Sequence, residues 1–427
     1  MIDFLIRGVQ LSDGSNRDIG IAEGCFVDPS SARTEIDATG LIGLSGFVDL
    51  HTHLREPGFE QSETVFTGSR AAAAGGYTAV HAMPNTYPVA DTAGVVEQVF
   101  QRGIEAGFVH VQPIGAVTVG LEGKQLSEMG AMAHSRAKVS IFSDDGKCVS
   151  DILLMRRALE YAKTFDAVIA QHAQEPRLTE GSQMHEGAVS AELGLTGWPA
   201  VAEEAIIARD VLLADQVGAR LHICHLSTAG SVEIIRWAKA RGINVTAEVT
   251  PHHLLLTDES ARGFDPTFKV NPPLRTNEDV LALRAALVDG TIDIVATDHA
   301  PHPFEAKDCE WGSAAFGMLG LEAAASVVQQ VLIDSGASNW QRFETVMSHK
   351  PAQISKLDGQ GMPIAIGSIA NLTLIDPSAK RDGAHQHSRS VNNPYANLEL
   401  SGAVMHTFYR GVQTVADGQL QNLKEDN

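Results

Sequence analysis

Short apolar runs recur along the middle of the chain, separated by longer amphipathic stretches. Eight of these runs have the length and bounding residues of buried strands: Gly46 to Leu54, Tyr77 to Met83, Val109 to Val117, Ala137 to Phe142, Ala167 to His172, Arg220 to His225, Asn244 to Thr250 and Asp293 to Asp298. Glu63 to Ala74, Ala202 to Asp215, Ser231 to Ala240 and Asn277 to Leu287 lie between them and read as helices. Such alternation predicts βα units around a parallel sheet, and eight units predict an α/β fold with a closed (β/α)8, TIM-like barrel. The connection from 173 to 200 is rich in Gly and Glu and reads as an elaborated loop.

The two ends follow a different rhythm. Phe4-Leu5-Ile6, Asp18 to Ile21 and Glu35-Ile36-Asp37 near the start, and Ala370 to Asp376 and Ala403 to Tyr409 near the finish, read as strands between Gly and Asp turns. Strand edges need partners, so the termini are expected to meet in a small β-sandwich domain. The expected division is 1–46 with 357–427 for that domain, and 47–356 for the barrel.

Composition narrows the function. The 427 residues are 44% hydrophobic and 20% charged, an ordinary globular balance able to bury a large core. Acidic residues number 52 against 32 basic ones, for a net charge of −20, which repels nucleic-acid backbones and anionic membranes. An acidic chain that binds an anion must place cations locally, so Arg55, inside a histidine-rich motif, stands out. Cys25, Cys148, Cys224 and Cys309 form no Cys-x-x-Cys pair, which argues against a thiolate zinc site or a disulfide framework. With no signal-type start and no run near ~18 apolar residues, a cytoplasmic protein outside the membrane is expected.

In a barrel, chemistry gathers where strands end. The first strand ends in Asp49-Leu50-His51-Thr52-His53-Leu54-Arg55, the fourth in Ser143-Asp144-Asp145-Gly146, the fifth at His172, the sixth at His225 and the eighth at Asp298. Each has a bland reading. His51 and His53 alone are more often a hydrogen-bonded pair than ligands, His172 a satisfied histidine, His225 a partner of His222, Asp144-Asp145-Gly146 a turn and Asp298 a helix cap. Together they favour a metal centre, because residues two apart on a strand share a face and imidazole with carboxylate suits Zn²⁺. The arrangement this suggests is His51, His53 and Asp298 on one ion, His172 and His225 on a second, and Asp145 between them.

Five segments taken together are more specific than any one: His51-Thr52-His53-Leu54-Arg55-Glu56-Pro57-Gly58, Met83-Pro84-Asn85-Thr86, Thr250-Pro251-His252-His253, Asn271-Pro272-Pro273-Leu274-Arg275 and Thr297-Asp298-His299-Ala300-Pro301-His302. Over nearly its whole length the chain resembles the bacterial class I dihydroorotases of the amidohydrolase superfamily. The resemblance implies a zinc-dependent hydrolase that reversibly cyclises N-carbamoyl-L-aspartate to L-dihydroorotate and water in de novo pyrimidine (UMP) synthesis. It implies two zinc ions per chain, bridged by a hydroxide and by Asp145 rather than Asp144, with Asp298 as general acid/base. Many relatives bridge instead through a carboxylated lysine, and Lys147 lies nearby.

The resemblance also implies substrate contacts. Arg55 and Asn85, helped by His302, hold the exocyclic carboxylate; Asn271 and the backbone of Phe316 and Gly317 meet the ring; His53 faces the substrate as well as the metal. Read locally, Asn85 is a turn residue before Pro88 and Asn271 a loop cap before Pro272. His252 and His253 are expected to orient neighbours. The fifth-strand histidine is followed by Ala173-Gln174-Glu175 where the family often has an acidic pair, and Asn371 stands where an Asp is usual. The segment from His302 to Gly317, with Lys307, Asp308 and Gly312, reads as a mobile loop over the site. A homodimer, and association with aspartate transcarbamoylase, follow as partner expectations. The rival readings are an allantoinase or hydantoinase, from which Arg55, Asn85 and His302 distinguish the chain, and a non-catalytic partner of aspartate transcarbamoylase.

Overall fold

The computed structural model describes residues 1–381, 383 and 386–423, so residues 424–427 of the expected C-terminal segment lie outside the described residues. Phe47–Thr52, Tyr77–Ala82 and His110–Pro113 pair in parallel as one sheet. Ile141–Phe142, Val168–Gln171, Arg220–Ile223, Val245–Val249 and Ile294–Val295 form a second, also parallel. Isolated parallel bridges join the two sheets at both seams, Gly115 to Phe142 and Thr52 to His299. All eight expected strand positions thus carry parallel strands. Every residue of Phe47–Thr52 and Tyr77–Ala82 is buried, as expected for strands covered on both faces.

The helices between them have legible ends. Asp151 accepts from Leu154 N to start Ile152–Lys163, Thr228 accepts from Ser231 N to start Ala229–Ala240, and Thr276 with Asp279 forms a capping box on Asn277–Asp289. Val201–Val217 buries Ile206, Ile207, Val211 and Ala214 on one face and stops at Gly218, in the left-handed region. The connection 173–200 is more ordered than its composition suggests. Met184–His185 pairs in parallel with Gly197–Trp198, with the helix Ala188–Leu193 between.

The termini meet in one nine-stranded sheet. Leu372–Lys380 pairs antiparallel with both Ile42–Ser45 and Ser401–Tyr409, which stitches the two ends of the chain together. Leu44 and Ile375 share a core with Phe47, Tyr77 and Val80 of the parallel strands. A separate cluster that includes Val48, Ile114, Ile141, Val168, Ile294 and Ala296 lies among the strands themselves. No helix among the described residues is long and apolar enough to cross a membrane.

Candidate active site and metal centre

The strand ends converge. His51 Nε2 lies 3.2 Å from Asp145 Oδ1, and His53 Nε2 lies 3.3 Å from Asp145 Oδ2 and 3.0 Å from Asp298 Oδ1. On the other side, His172 Nδ1 and His225 Nε2 are each 3.4 Å from Asp145 Oδ1 and 2.8 Å from one another. Asp145 therefore faces all four histidines. Asp144 turns away, its Oδ1 accepting from the backbone N–H groups of Val117 and Thr118, and Lys147 is exposed. Arg55, His225 and Asp298 hold φ of 63°, 32° and 46°, a left-handed backbone that costs non-glycine residues about 1–3 kcal/mol each and gathers at functional sites.

Two buried atoms at the centre of this cluster, His51 Nε2 and Asp145 Oδ1, have no hydrogen-bond partner. A buried imidazole nitrogen and a buried carboxylate oxygen left without partners, among further ligand-type atoms, fit a divalent cation. Two overlapping groups, His51–His53–Asp145 and Asp145–His172–His225, each bring their ligand atoms within 4.8 Å of one another. They share Asp145, the arrangement of a binuclear site. The carboxylates make this cluster attractive to positive charge. Burial alone pushes the Asp298 carboxyl up, but His51 and His53 outweigh it and hold it at about 2; Asp145 is likewise held well below the usual carboxylate range, chiefly by His51. His51 is driven up despite its burial by Asp145, Glu248 and Asp298.

Sequence reasoning missed Glu248. Its Oε1 lies 2.6 Å from His51 Nδ1 and accepts from His225 N, while Oε2 accepts from His222 Nε2 at 2.9 Å. His222 thus serves Glu248 rather than His225. A signal was present, an acid in a short run with Val245, Ala247 and Val249. Asp49 is a second such acid: it accepts from His51 N, Thr297 N and Thr297 Oγ1, and burial pushes it up to about 7. His253 lies 3.2 Å from Pro272 O and 2.8 Å from Thr250 Oγ1, which ties down the loop that starts at Asn271. Both nitrogens of the buried His252 are unpartnered, and burial lowers it to about 4.

A cleft of about 240 Å³ opens on the cluster and is lined by His53, Arg55, Asn85, Asp145, His172, Asn271, Asp298, His302, Phe316 and Gly317. Arg55 Nε donates to Pro301 O at 3.1 Å, and burial lowers the guanidinium to about 10, still charged at neutral pH. Asn85 Oδ1 is taken by His53 Nδ1 at 2.9 Å, which leaves its Nδ2 as a donor. His302 Nε2 donates to Phe316 O at 2.7 Å, and burial keeps the ring neutral by lowering it to about 3. It must release that bond to donate to a carboxylate. Gly317 has φ +137°, and a Cβ there would stand 2.8 Å from Ala300 Cβ and His302 Nε2, so only glycine fits.

The loop over this cleft is tied from below. Lys307 Nζ donates to the carbonyls of Pro266, Lys269 and Ala315, and Lys269 Nζ donates to Trp311 O while lying 4.5 Å above the Phe316 ring. Asn392, from the C-terminal segment, accepts from His302 N and donates to the carbonyls of Ala300 and Gly317.

Comparison with known proteins agrees with this geometry. A family model described as Dihydro-orotase-like matches residues 40–231. Dihydroorotases from Leifsonia xyli and Streptomyces coelicolor are 64% and 63% identical, each over 97% of this chain and covering 96% and 99% of those proteins. The dihydroorotase of Mycobacterium tuberculosis is 53% identical over 98% of this chain and 99% of its own length. Among solved structures, an L-hydantoinase (dihydropyrimidinase) from Arthrobacter aurescens superposes with a TM-score of 0.87 at 25% identity, covering 99% of this chain and 98% of that one. A D-hydantoinase superposes at 0.82 with 22% identity, which speaks for the fold alone. With identity above one half along almost the entire length of those relatives, the chain belongs to the dihydroorotase family of cyclic-amide hydrolases.

Proposed function

We propose that the cleft interconverts N-carbamoyl-L-aspartate and L-dihydroorotate, with His51, His53 and Asp298 holding one zinc ion, His172 and His225 a second, and Asp145 shared between them. The observation that carries this reading is a buried carboxylate–imidazole cluster opening directly on a cleft that contains Arg55. When bound, such ions supply a lowered water pKa and polarisation of a carbonyl oxygen. The protein's own residues do the rest. Asp298 accepts the proton of the attacking water and delivers it to the departing ring nitrogen, and the sequence reverses during ring closure. The Arg55 guanidinium pairs with the exocyclic carboxylate, with Asn85 Nδ2 and His302 beside it, while Asn271 and the backbone at Phe316 and Gly317 meet the ring.

The finer architecture belongs to the same reading. Residues 47–356 form one closed (β/α)8 barrel, which the single bridges at both seams support, and 1–46 with 357–427 form the terminal β domain, built on one nine-stranded sheet rather than on the two packed sheets of a sandwich. The enzyme works in the cytoplasm as a homodimer able to associate with aspartate transcarbamoylase. All six candidate ligand positions carry ligand-type side chains, which favours a catalytic rather than a silent barrel. Metal analysis of purified protein, beside turnover of dihydroorotate, hydantoin and allantoin, tests the proposal. Two zinc equivalents and a strong preference for dihydroorotate are expected. Efficient opening of hydantoin or allantoin with dihydroorotate ignored would overturn the substrate assignment.

A further inference from the structure

Gln174 lies three residues beyond the strand Val168–Gln171, between a candidate metal ligand and a candidate substrate contact. Its Oε1 is 2.8 Å from His172 Nε2 and accepts from Asn271 Nδ2 at 3.2 Å, while its Nε2 donates to Thr179 Oγ1 at 2.7 Å. The surroundings of Thr179 fit this orientation of the amide. Thr179 Oγ1 lies 3.2 and 3.3 Å from the carbonyls of Glu175 and Pro176, and with its proton directed to one of them it accepts from the Gln174 nitrogen.

Two consequences follow from the oxygen facing the other way. His172 must carry its proton on Nε2, which leaves the Nδ1 lone pair facing Asp145 and His225. Asn271 must turn its Nδ2 to Gln174, which leaves Oδ1 as an acceptor. That oxygen is buried and has no partner, and Asn271 lines the cleft. A buried acceptor without a donor is unfavourable until an N–H arrives.

We infer that Gln174 is a positioning residue with two outputs: it holds His172 in the tautomer that can ligate a metal, and it sets the Asn271 amide so that Oδ1 receives an N–H of the substrate ring. The amide does this without charge. A carboxylate at 174 offers the same acceptor to both neighbours but adds a negative charge close to an anionic substrate, in a chain already at −20. The inference rests on the reading of Asn271 as a ring contact.

A double-mutant cycle on the metal-replete enzyme tests it, with Gln174→Met, Asn271→Ala and the double variant assayed for kcat and KM with dihydroorotate and for metal loss to a chelator. Gln174→Met is expected to raise KM about tenfold with a smaller change in kcat, and to speed metal loss about tenfold. The double variant should show a KM no higher than Asn271→Ala alone, because the removed acceptor has nothing left to orient. Gln174→Glu should retain metal like the wild type, since the acceptor to His172 survives, while its KM rises through charge repulsion. Additive KM effects, or metal retention unchanged in Gln174→Met, would overturn the inference. A wild-type KM in Asn271→Ala would instead remove the ring-contact reading on which it rests.

Discussion

The two walls of the cleft are built differently. On one wall, His51, His53, Asp145, His172, His225 and Asp298 sit at strand ends or within a few residues of them, none more than 5% exposed, and a buried carboxylate stands behind them at Glu248. On the other, Arg55, Asn85, Asn271, His302 and Phe316 sit on loops, half-buried, and the loop from 302 to 317 is held by lysines that donate to backbone carbonyls. On the proposed reading, chemistry that needs fixed distances rests on strands, and recognition that must admit and release a substrate rests on loops. The charges follow the same division, with acids behind the metal wall and cations beneath the recognition wall.

If the strand wall carries the chemistry, the largest single effect should come from Asp298. Asp298→Asn keeps the size of the side chain but removes both its charge and its proton-accepting capacity, and kcat should fall by about 10³-fold or more with KM less affected. Steady-state kinetics on metal-replete protein checks this, and near-normal kcat would remove Asp298 from the chemistry. Glu248→Gln reaches the same wall indirectly. The amide can still accept from His51 Nδ1 and His225 N, but it loses the charge that favours a protonated Nδ1 and places an N–H against His222 Nε2. Metal affinity should drop by about 10- to 100-fold, as measured by competition with a chelator.

The recognition wall should respond in KM instead. Arg55→Ala removes the guanidinium, and KM for dihydroorotate should rise by about tenfold or more, with kcat changed less. Any slow turnover of hydantoin, which carries no carboxylate, should be untouched. Equal losses on both substrates would mean that Arg55 serves the fold of the loop rather than the substrate.

The same division explains what could be read from the chain alone. The strand wall was legible because each candidate side chain falls where an apolar run ends, and His51 and His53 share the spacing that brings two imidazoles to one point. Glu248 was hidden because it sits inside a strand, where nothing local says which histidine it will meet 197 positions away. The pairing of Ile42–Ser45 with Leu372–Lys380 was hidden for the same reason: the need for partners was visible, their identity was not. In the connection 173–200, strands of two residues are too short to show a period. Lys307 reads from the sequence as part of a mobile loop, and only the fold reveals that it and Lys269 are buried among carbonyls.

Lys307 yields the smallest expected effect, and it tests the recognition wall by pH. Burial lowers its amine from 10.5 to about 7, with Lys269 adding to the shift and Asp265 and Cys309 opposing it. Below pH 7 the group is protonated in the folded and unfolded chain alike, and the fold bears the full cost of a buried charge. Between pH 7 and about 10 the unfolded chain binds the extra proton, so raising the pH relieves that cost and stabilises the folded state. Lys307→Met removes this dependence. The melting temperature of the wild type, measured against that of the variant, should therefore improve by a few degrees from pH 7 to pH 9.5. A difference that stays flat across that range would mean that Lys307 keeps an ordinary amine pKa, and that the carbonyls of Pro266, Lys269 and Ala315 solvate its charge as well as water does.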